Sequence, residues 1–207
     1  MRGIAVCSHV SNLPWLLNLA GSFKGYSKYH VAVVVNQLNV GDNKFIHHDF
    51  VDRARDAFKE VPLTILAGTD NFEVGAIADV MKYTNFDEFV FLHDTIEIKD
   101  PSIFELVLEE RNKSFAITPN YFHFLGKYER RFLQHMDFPP MTSKGDAVQA
   151  ETHWNLHYIA LAKPSLFGDP LPVYSEKFEE KFFRQNMVVE NFYLKKYKQT
   201  WGTHLIK

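Results

Sequence analysis

Four short apolar runs of the sequence each end in polar side chains or are followed by them. In the first half of the chain, these side chains are the groups that could bind a ligand or react with it. The runs cover residues 3–7, 30–36, 63–68 and 88–93. The polar residues at their ends are Ser8, His9, Asn36, Asp70, Asn71, His93 and Asp94. Hydroxyl, amide, imidazole and carboxylate groups form hydrogen bonds to polar ligands, so these positions predict a site for a polar ligand.

A second group of polar residues lies in the segment AETHWNLHY, residues 150–158. Side chains alternate along a strand, so Glu151, His153 and His157 would share one face and Trp154 would lie on the other. A carboxylate and imidazoles on one face can exchange protons or bind a cation. An ordinary half-exposed strand would have the same pattern, and the sequence leaves both interpretations open.

The four apolar runs alternate with segments of helical periodicity. These segments cover residues 13–23, 49–60, 71–83 and 101–111. Continuous apolar strands joined by helices are typical of a parallel sheet that is buried on both faces. The sequence therefore predicts an α/β fold with a mostly parallel central sheet flanked by helices on both faces. Ligands of such sheets bind beyond the carboxyl ends of the strands, where the polar residues lie.

The pattern changes in the second half of the chain. Residues 114–118 predict a further strand, and residues 121–135 predict a helix. A late antiparallel strand is expected at 153–162 and a helix at 174–187. The last residues form a basic aromatic tail, in which Lys198 or His204 could reach over a bound phosphate as part of a lid. An amphipathic closing segment is the alternative interpretation of this tail.

Composition is typical of an ordinary globular protein. The chain has 207 residues, 46% hydrophobic and 23% charged, which suits a single domain over residues 1–207. The net charge of −2 does not favour a nucleic-acid partner, although the basic tail leaves one open. Cys7 is the single cysteine, so an internal disulfide and a Cys-rich zinc site are excluded. No signal peptide or transmembrane segment is recognisable, and a cytoplasmic location is expected.

Several common motifs are missing from the sequence. There is no G-x-G-x-x-G after the first strand and no G-x-x-x-x-G-K-[ST], which disfavours a dinucleotide dehydrogenase and a P-loop phosphotransferase. There is also no G-x-S-x-G, so the nucleophile elbow of α/β-hydrolases is absent. The predicted polar ligand is therefore not expected to bind through any of these three motifs.

The segment AGTDNFEVGAIADVMKYTNFDEFVFLHDT resembles the nucleotide-sugar-binding half of GT-A-fold glycosyltransferases, as in the family-2-like group. In that family a loop with Gly and Asn leads into a helix rich in Gly and Ala, and a hydrophobic strand then ends in a D-x-D type motif. The residues that match the loop and helix are Asn71, Gly75, Ala76 and Ala78. The resemblance covers roughly residues 3–118. It divides the domain into a nucleotide-sugar-binding half, 1–118, and an acceptor-side half with the tail, 119–207.

This resemblance implies an enzyme that moves a sugar from a nucleotide-sugar donor to a hydroxyl acceptor, such as a glycan or a lipid-linked glycan. It implies a divalent cation, Mn²⁺ or Mg²⁺, that bridges the phosphates. Asp94 is the expected catalytic metal ligand, His153 the second metal ligand and Glu151 the general base. The residues expected to bind the nucleotide sugar are Ser8, His9, Asn36, Asp70, Asn71, His93 and Lys198.

The chain departs from the family in the motif itself. His93-Asp94-Thr95 supplies one carboxylate where D-x-D supplies two. Either a histidine such as His153 supplies the missing ligand, or the protein holds its donor in a different way. At Asp94 itself, the capping of a turn in a surface loop is the alternative role. His93 is expected as a sugar contact or as a satisfied residue at a strand end.

Two other functions fit parts of the sequence. A nucleotidyltransferase on a similar sheet usually has a Gly-rich loop with Arg or Lys after its first strand. The segment SHVSNLP, residues 8–14, has no glycine and no basic residue except His9. A non-catalytic module that binds a nucleotide or a sugar needs no second carboxylate, so it is compatible with the single carboxylate of His93-Asp94-Thr95. Nucleotide-sugar-dependent glycosyl transfer remains the leading prediction.

Overall fold

The computed structural model describes most of the first two thirds of the chain and two short segments near its end. The described residues are 1–37, 46–68, 72–109, 115–116, 125–138, 143, 145–146, 149–150, 188–190 and 193–197. Side chains are described in these ranges except at residues 72, 115–116, 125 and 188–190. In this part of the chain, no helix has the length and apolar character needed to cross a membrane.

Strands form two sheets in the described residues. In chain order they are β1 (Arg2–His9), β2 (His30–Asn36), β3 (Leu63–Ala67), β4 (Glu88–His93), β5 (Ile96–Ile98), β6 (Phe115–Ala116), β7 (Leu125–Glu129), β8 (Val188–Glu190) and β9 (Leu194–Tyr197). The larger sheet has the order β3-β2-β1-β4-β7-β6, and the smaller one β5-β9-β8. Strands β1 to β4 are mutually parallel, whereas β7 runs antiparallel to β4 and β6 antiparallel to β7.

Helices cover both faces of the larger sheet. They are α1 (Leu13–Gly21), α2 (His48–Ala57), α3 (Phe72–Tyr83), α4 (Ser102–Glu109) and the short α5 (Arg130–Leu133), and a 3₁₀ turn (Val10–Asn12) precedes α1. Val31, Val33 and Val35 of β2 pack in one core layer with residues of α1, α2 and α4. Ala32 and Val34 pack in the opposite layer with residues of α3. The predicted α/β fold, with a mostly parallel sheet flanked by helices, is confirmed.

The helix that the sequence predicts at 121–135 is wrong over most of its described length. Residues Leu125–Glu129 form β7, and only Arg130–Leu133 are helical. The reason is packing: Tyr128 pairs with Phe89 of β4, and its ring lies 5.7 Å from the ring of that residue. Tyr128 is fully buried, so burial against β4 overrides the weak helical periodicity of the segment. The predicted strand at 153–162 and helix at 174–187 lie outside the described residues.

The smaller sheet contains part of the predicted C-terminal tail. β9 pairs antiparallel with β5, with Ile96 opposite Lys196 and Ile98 opposite Leu194. The N–H of Tyr197 also donates to the carbonyl oxygen of Thr95 at 2.9 Å. Because β5 begins two residues after Asp94, this pairing places β9 directly beside the carboxyl end of β4.

Arg130 joins α5 to the last turn of α3 and to the segment between α3 and β4. Its guanidinium donates to the carbonyl oxygens of Met81, Thr84 and Phe86 at 2.5, 2.7 and 2.7 Å. We expect Arg130→Ala to lower the free energy of unfolding by about 2 kcal/mol, because three carbonyl groups lose a charged donor. Urea denaturation followed by circular dichroism measures this loss.

Arg53 provides the control for this prediction. Its side chain is 54% exposed and lies 3.8 Å from the carboxylate of Asp49, which is 67% exposed. A surface ion pair of this kind contributes less than about 1 kcal/mol, so Arg53→Ala should change stability little. Equal losses in the two variants would show that the three carbonyl contacts of Arg130 do not stabilise the fold.

Candidate functional site

The carboxyl ends of three neighbouring strands bring five of the sequence-predicted residues together. β1 lies between β2 and β4, with His9 opposite Asn36 and Cys7 opposite His93. Parallel strands end at the same edge of a sheet, and ligands of open α/β sheets bind there. The residues at this edge are Ser8, His9, Asn36, His93 and Asp94. We call it the carboxyl edge.

Asp94 is buried at the carboxyl edge, with 3% of its surface exposed. Its Oδ2 accepts a hydrogen bond from the Ser8 hydroxyl at 2.7 Å. Its carboxylate also accepts from the Asn12 side chain and from the backbone N–H of His9. The backbone N–H of Asp94 donates to the carbonyl oxygen of Cys7 at 3.0 Å. Asp94 is therefore fixed by β1 and the turn that follows it, and it does not lie in a surface loop.

Lys196 is a buried cation beside Asp94. It is 5% exposed, and its ammonium group donates to the Thr95 hydroxyl. The carboxylates of Asp94 and Glu73 and the thiol of Cys7 are close enough to act on its charge. The sequence predicted a lysine of the tail as a phosphate contact, but it favoured Lys198, which lies outside the described residues. The signal for Lys196 was its place in the basic aromatic tail, directly before Tyr197.

Burial shifts the protonation equilibria of both groups toward their neutral forms. Burial raises the pKa of Asp94 from 3.8 to about 6, although the hydrogen bond from Ser8 and the charge of Lys196 oppose this rise. Burial likewise lowers the pKa of Lys196 from 10.5 to about 8, against the attraction of Asp94 and Glu73. Between about pH 6 and pH 8 both groups are therefore charged, and the burial of both charges costs free energy of desolvation.

Glu73 and His93 form a second polar pair at the carboxyl edge. Glu73 lies in the first turn of α3, and its Oε1 is 3.3 Å from Nε2 of His93. The imidazole of His93 also packs edge-on against Phe91, with ring centroids 6.1 Å apart. Glu73 is not among the sequence-predicted site residues. Its position at the start of the Gly- and Ala-rich helix was the available signal, because helix starts lie at the same edge as strand ends.

Asn36 and Gly68 meet where β2 and β3 end. The Asn36 amide donates to the Cys7 sulfur at 3.2 Å, which links β2 to β1. A Cβ atom at Gly68 would lie 2.6 Å from Oδ1 of Asn36 and 3.1 Å from the Val35 carbonyl oxygen. The absence of a side chain at Gly68 therefore permits the observed position of Asn36.

Five other sequence-predicted site residues cannot be placed at the carboxyl edge. Asp70, Asn71, Glu151, His153 and Lys198 lie outside the described residues. Their predicted roles in donor binding, base catalysis and metal binding stay predictions.

The described residues do not fit a divalent cation. Asp94 is already hydrogen-bonded to Ser8, and the ammonium of Lys196 supplies a positive charge beside it. Within the described ranges, no group of three or more His, Cys, Asp or Glu side chains is arranged to hold a metal ion. The Mn²⁺ or Mg²⁺ that the sequence predicts would thus depend on His153, and it stays a prediction.

The architecture is shared with solved transferase structures. A cytidylyltransferase from Leptospira borgpetersenii is 15% identical, with a TM-score of 0.53 over 80% of this chain and 73% of that one. The glycosyltransferase GlyE of Streptococcus pneumoniae is 8% identical, with a TM-score of 0.48 over 81% of this chain and 41% of that one. The galactosyltransferase LgtC, solved with donor and acceptor sugar analogues, is 10% identical, with a TM-score of 0.42 over 74% and 66%.

Comparison of the sequence itself gives no relative. No protein-family model matches the chain. No curated protein matches it either. At these identities the structural likeness shows the fold alone, which is an α/β fold with a mostly parallel sheet flanked by helices.

Proposed function

We propose that this protein transfers a sugar from a nucleotide-sugar donor to a hydroxyl acceptor. The observation that carries the proposal is the buried pair of Asp94 and Lys196 at the carboxyl edge. Buried ionisable groups with shifted pKa values are concentrated at functional sites, because burying a charge is costly. The GT-A-like fold binds its ligand at the edge where this pair lies.

The site offers groups for each part of such a donor. The hydroxyl of Ser8 lies beside Asp94, His9 follows Ser8 at the end of β1, and Asn36 lies opposite His9 on β2. They can hydrogen-bond a nucleoside, a ribose or a phosphate. We propose that Asp70, Asn71, His93 and Lys198 complete the donor site, as the sequence predicts.

The reaction breaks the bond between the anomeric carbon and the diphosphate oxygen, which leaves with the bonding electrons. The acceptor oxygen forms a new bond to the anomeric carbon. Its proton passes to a base, for which we propose Glu151. A positive charge near the leaving diphosphate lowers the barrier because negative charge develops there in the transition state.

Nucleotidyl transfer is the second candidate, because a cytidylyltransferase shares the fold with a TM-score of 0.53. That reaction requires cations around a triphosphate, and they usually follow the first strand. The turn after β1, Val10–Asn12, has no Lys or Arg. Glycosyl transfer, with one leaving diphosphate beside one buried cation, therefore agrees better with the described residues.

A donor panel tests the proposal. Purified protein is incubated with UDP-, GDP-, dTDP- and CMP-sugars, with and without Mn²⁺, and the release of nucleotide is measured. We expect slow hydrolysis of one donor class, since water can replace an absent acceptor. Parallel incubations with CTP or UTP and a sugar phosphate should release no pyrophosphate. Pyrophosphate release would favour nucleotidyl transfer, and binding without turnover would indicate a non-catalytic module.

Gly68 gives a prediction on donor binding. We expect Gly68→Ala to weaken binding of the donor found by the panel about tenfold, which corresponds to about 1.4 kcal/mol. The added methyl group displaces the Asn36 side chain from the carboxyl edge. Isothermal titration calorimetry measures the change. Gly21→Ala is the control, because a Cβ at Gly21 meets nothing within 4 Å. Unchanged binding in Gly68→Ala would remove Asn36 from the donor site.

A further inference from the structure

We infer that Lys196 is the resident cation of the donor site, so that a nucleoside diphosphate binds there without a divalent metal ion. This inference rests on the proposed function. It concerns only what supplies the positive charge, and it can fail while the proposed function holds.

The backbone fixes Lys196 at the carboxyl edge. β9 pairs with β5 so that Lys196 lies opposite Ile96, two residues beyond Asp94. The N–H of Tyr197 donates to the Thr95 carbonyl oxygen at 2.9 Å, which holds the two strands together at this point. The aromatic ring of Tyr197 also packs against Trp15 of α1, with ring centroids 5.0 Å apart. The position of the ammonium thus follows from strand pairing and does not depend on a mobile surface side chain.

The groups around the ammonium are those that a hard divalent cation would use. They are the carboxylates of Asp94 and Glu73 and the hydroxyl of Thr95. Mg²⁺ and Mn²⁺ prefer carboxylate and other oxygen ligands. Here the ammonium of Lys196 already supplies a positive charge near these groups. A second cation close to it would be repelled by its like charge.

Low exposure makes this single charge effective. Lys196 is 5% exposed and Asp94 is 3% exposed, so water screens their fields less than at the surface. Buried and partly buried charges are also less affected by salt. A phosphate that contacts this ammonium would therefore be attracted to it more strongly than to the ammonium of a surface lysine.

Calorimetric titration of UDP, GDP and CDP tests the inference with a readout that does not depend on turnover. Each nucleotide is titrated into wild-type protein in EDTA and then in Mn²⁺. The variants are Lys196→Met and Lys195→Met, which remove the same charge from adjacent positions of β9. Lys195 is the control because its ammonium lies over the Tyr197 ring, 5.0 Å from the centroid. The double variant with Asp94→Asn and Lys196→Met is included because it leaves no buried charge unpaired.

The inference requires a nucleotide that binds wild type equally well in EDTA and in Mn²⁺. It also requires a loss of at least about a hundredfold in Lys196→Met and in the double variant, with Lys195→Met within about twofold. Binding to wild type only in Mn²⁺ overturns the inference and leaves the proposed function standing. The same holds if a folded Lys196→Met protein binds as wild type does. If no nucleotide binds under either condition, the proposed function falls and the inference falls with it.

Discussion

Asp94→Asn should raise the free energy of unfolding at neutral pH by an amount on the order of a few kcal/mol, because burial disfavours the ionised carboxylate in the folded state. The amide keeps the shape of the carboxylate and can still accept from the Ser8 hydroxyl, which is 2.7 Å away in the wild type. The gain therefore comes from removal of a buried negative charge.

A second substitution removes the other buried charge of the pair. Lys196→Met in the Asp94→Asn background leaves an apolar chain of similar length in place of the ammonium. Apolar replacements of buried ion pairs are often neutral or stabilising, so the double variant should be at least as stable as wild type. Donor binding should nevertheless be lost, which separates the functional role of the pair from its effect on stability.

Chemical denaturation of the wild type, both single variants and the double variant completes the cycle. Asp87→Asn is the control, because Asp87 also forms an ion pair, with the chain terminus, but its side chain is 75% exposed. That variant should change stability little, because an exposed ion pair contributes little. If Asp94→Asn were less stable than wild type at neutral pH, the ionised carboxylate would not be disfavoured in the folded state.

The carboxyl edge could be predicted from the sequence where it is built by consecutive elements. Apolar runs alternate with helical periodicity, so β1 to β4 and their polar ends followed from local patterns and from the geometry of parallel sheets. Ser8, Asn36, His93 and Asp94 were found in this way. Each lies at the end of the strand that positions it or directly after that strand.

Lys196 and β7 could not be predicted in the same way because long-range pairing decides both. Lys196 bonds Thr95 across 101 residues of sequence, and nothing in a single sequence specifies that β9 pairs with β5 in this register. β7 carries Lys127 and Glu129 at buried positions, and it lacks the alternation of a strand with one exposed face. Its pairing with β4 is what buries Tyr128 and makes the segment a strand.

The pH dependence of stability should show that burial of the charged Asp94–Lys196 pair lowers the free energy of unfolding near neutral pH. The pKa of Asp94 is raised by burial from 3.8 to about 6, so its neutral form is favoured in the folded state and stability falls as pH rises through this range. The pKa of Lys196 is lowered by burial from 10.5 to about 8, so stability is regained only as pH rises from about 8 toward 10.5. Between about pH 6 and 8 both groups are charged and the pair is at its least favourable.

The free energy of unfolding should therefore be measured for wild type and for the Asp94→Asn, Lys196→Met double variant from acidic to alkaline pH. The difference between the two cancels the other titrating groups, except those that face the pair, which are Cys7 and Glu73. Relative to the double variant, wild type should be least stable near neutral pH. It should gain on the order of a few kcal/mol toward either flank. If the difference instead favoured wild type at neutral pH, the pair would stabilise the fold, and its burial would no longer be an argument for a functional site.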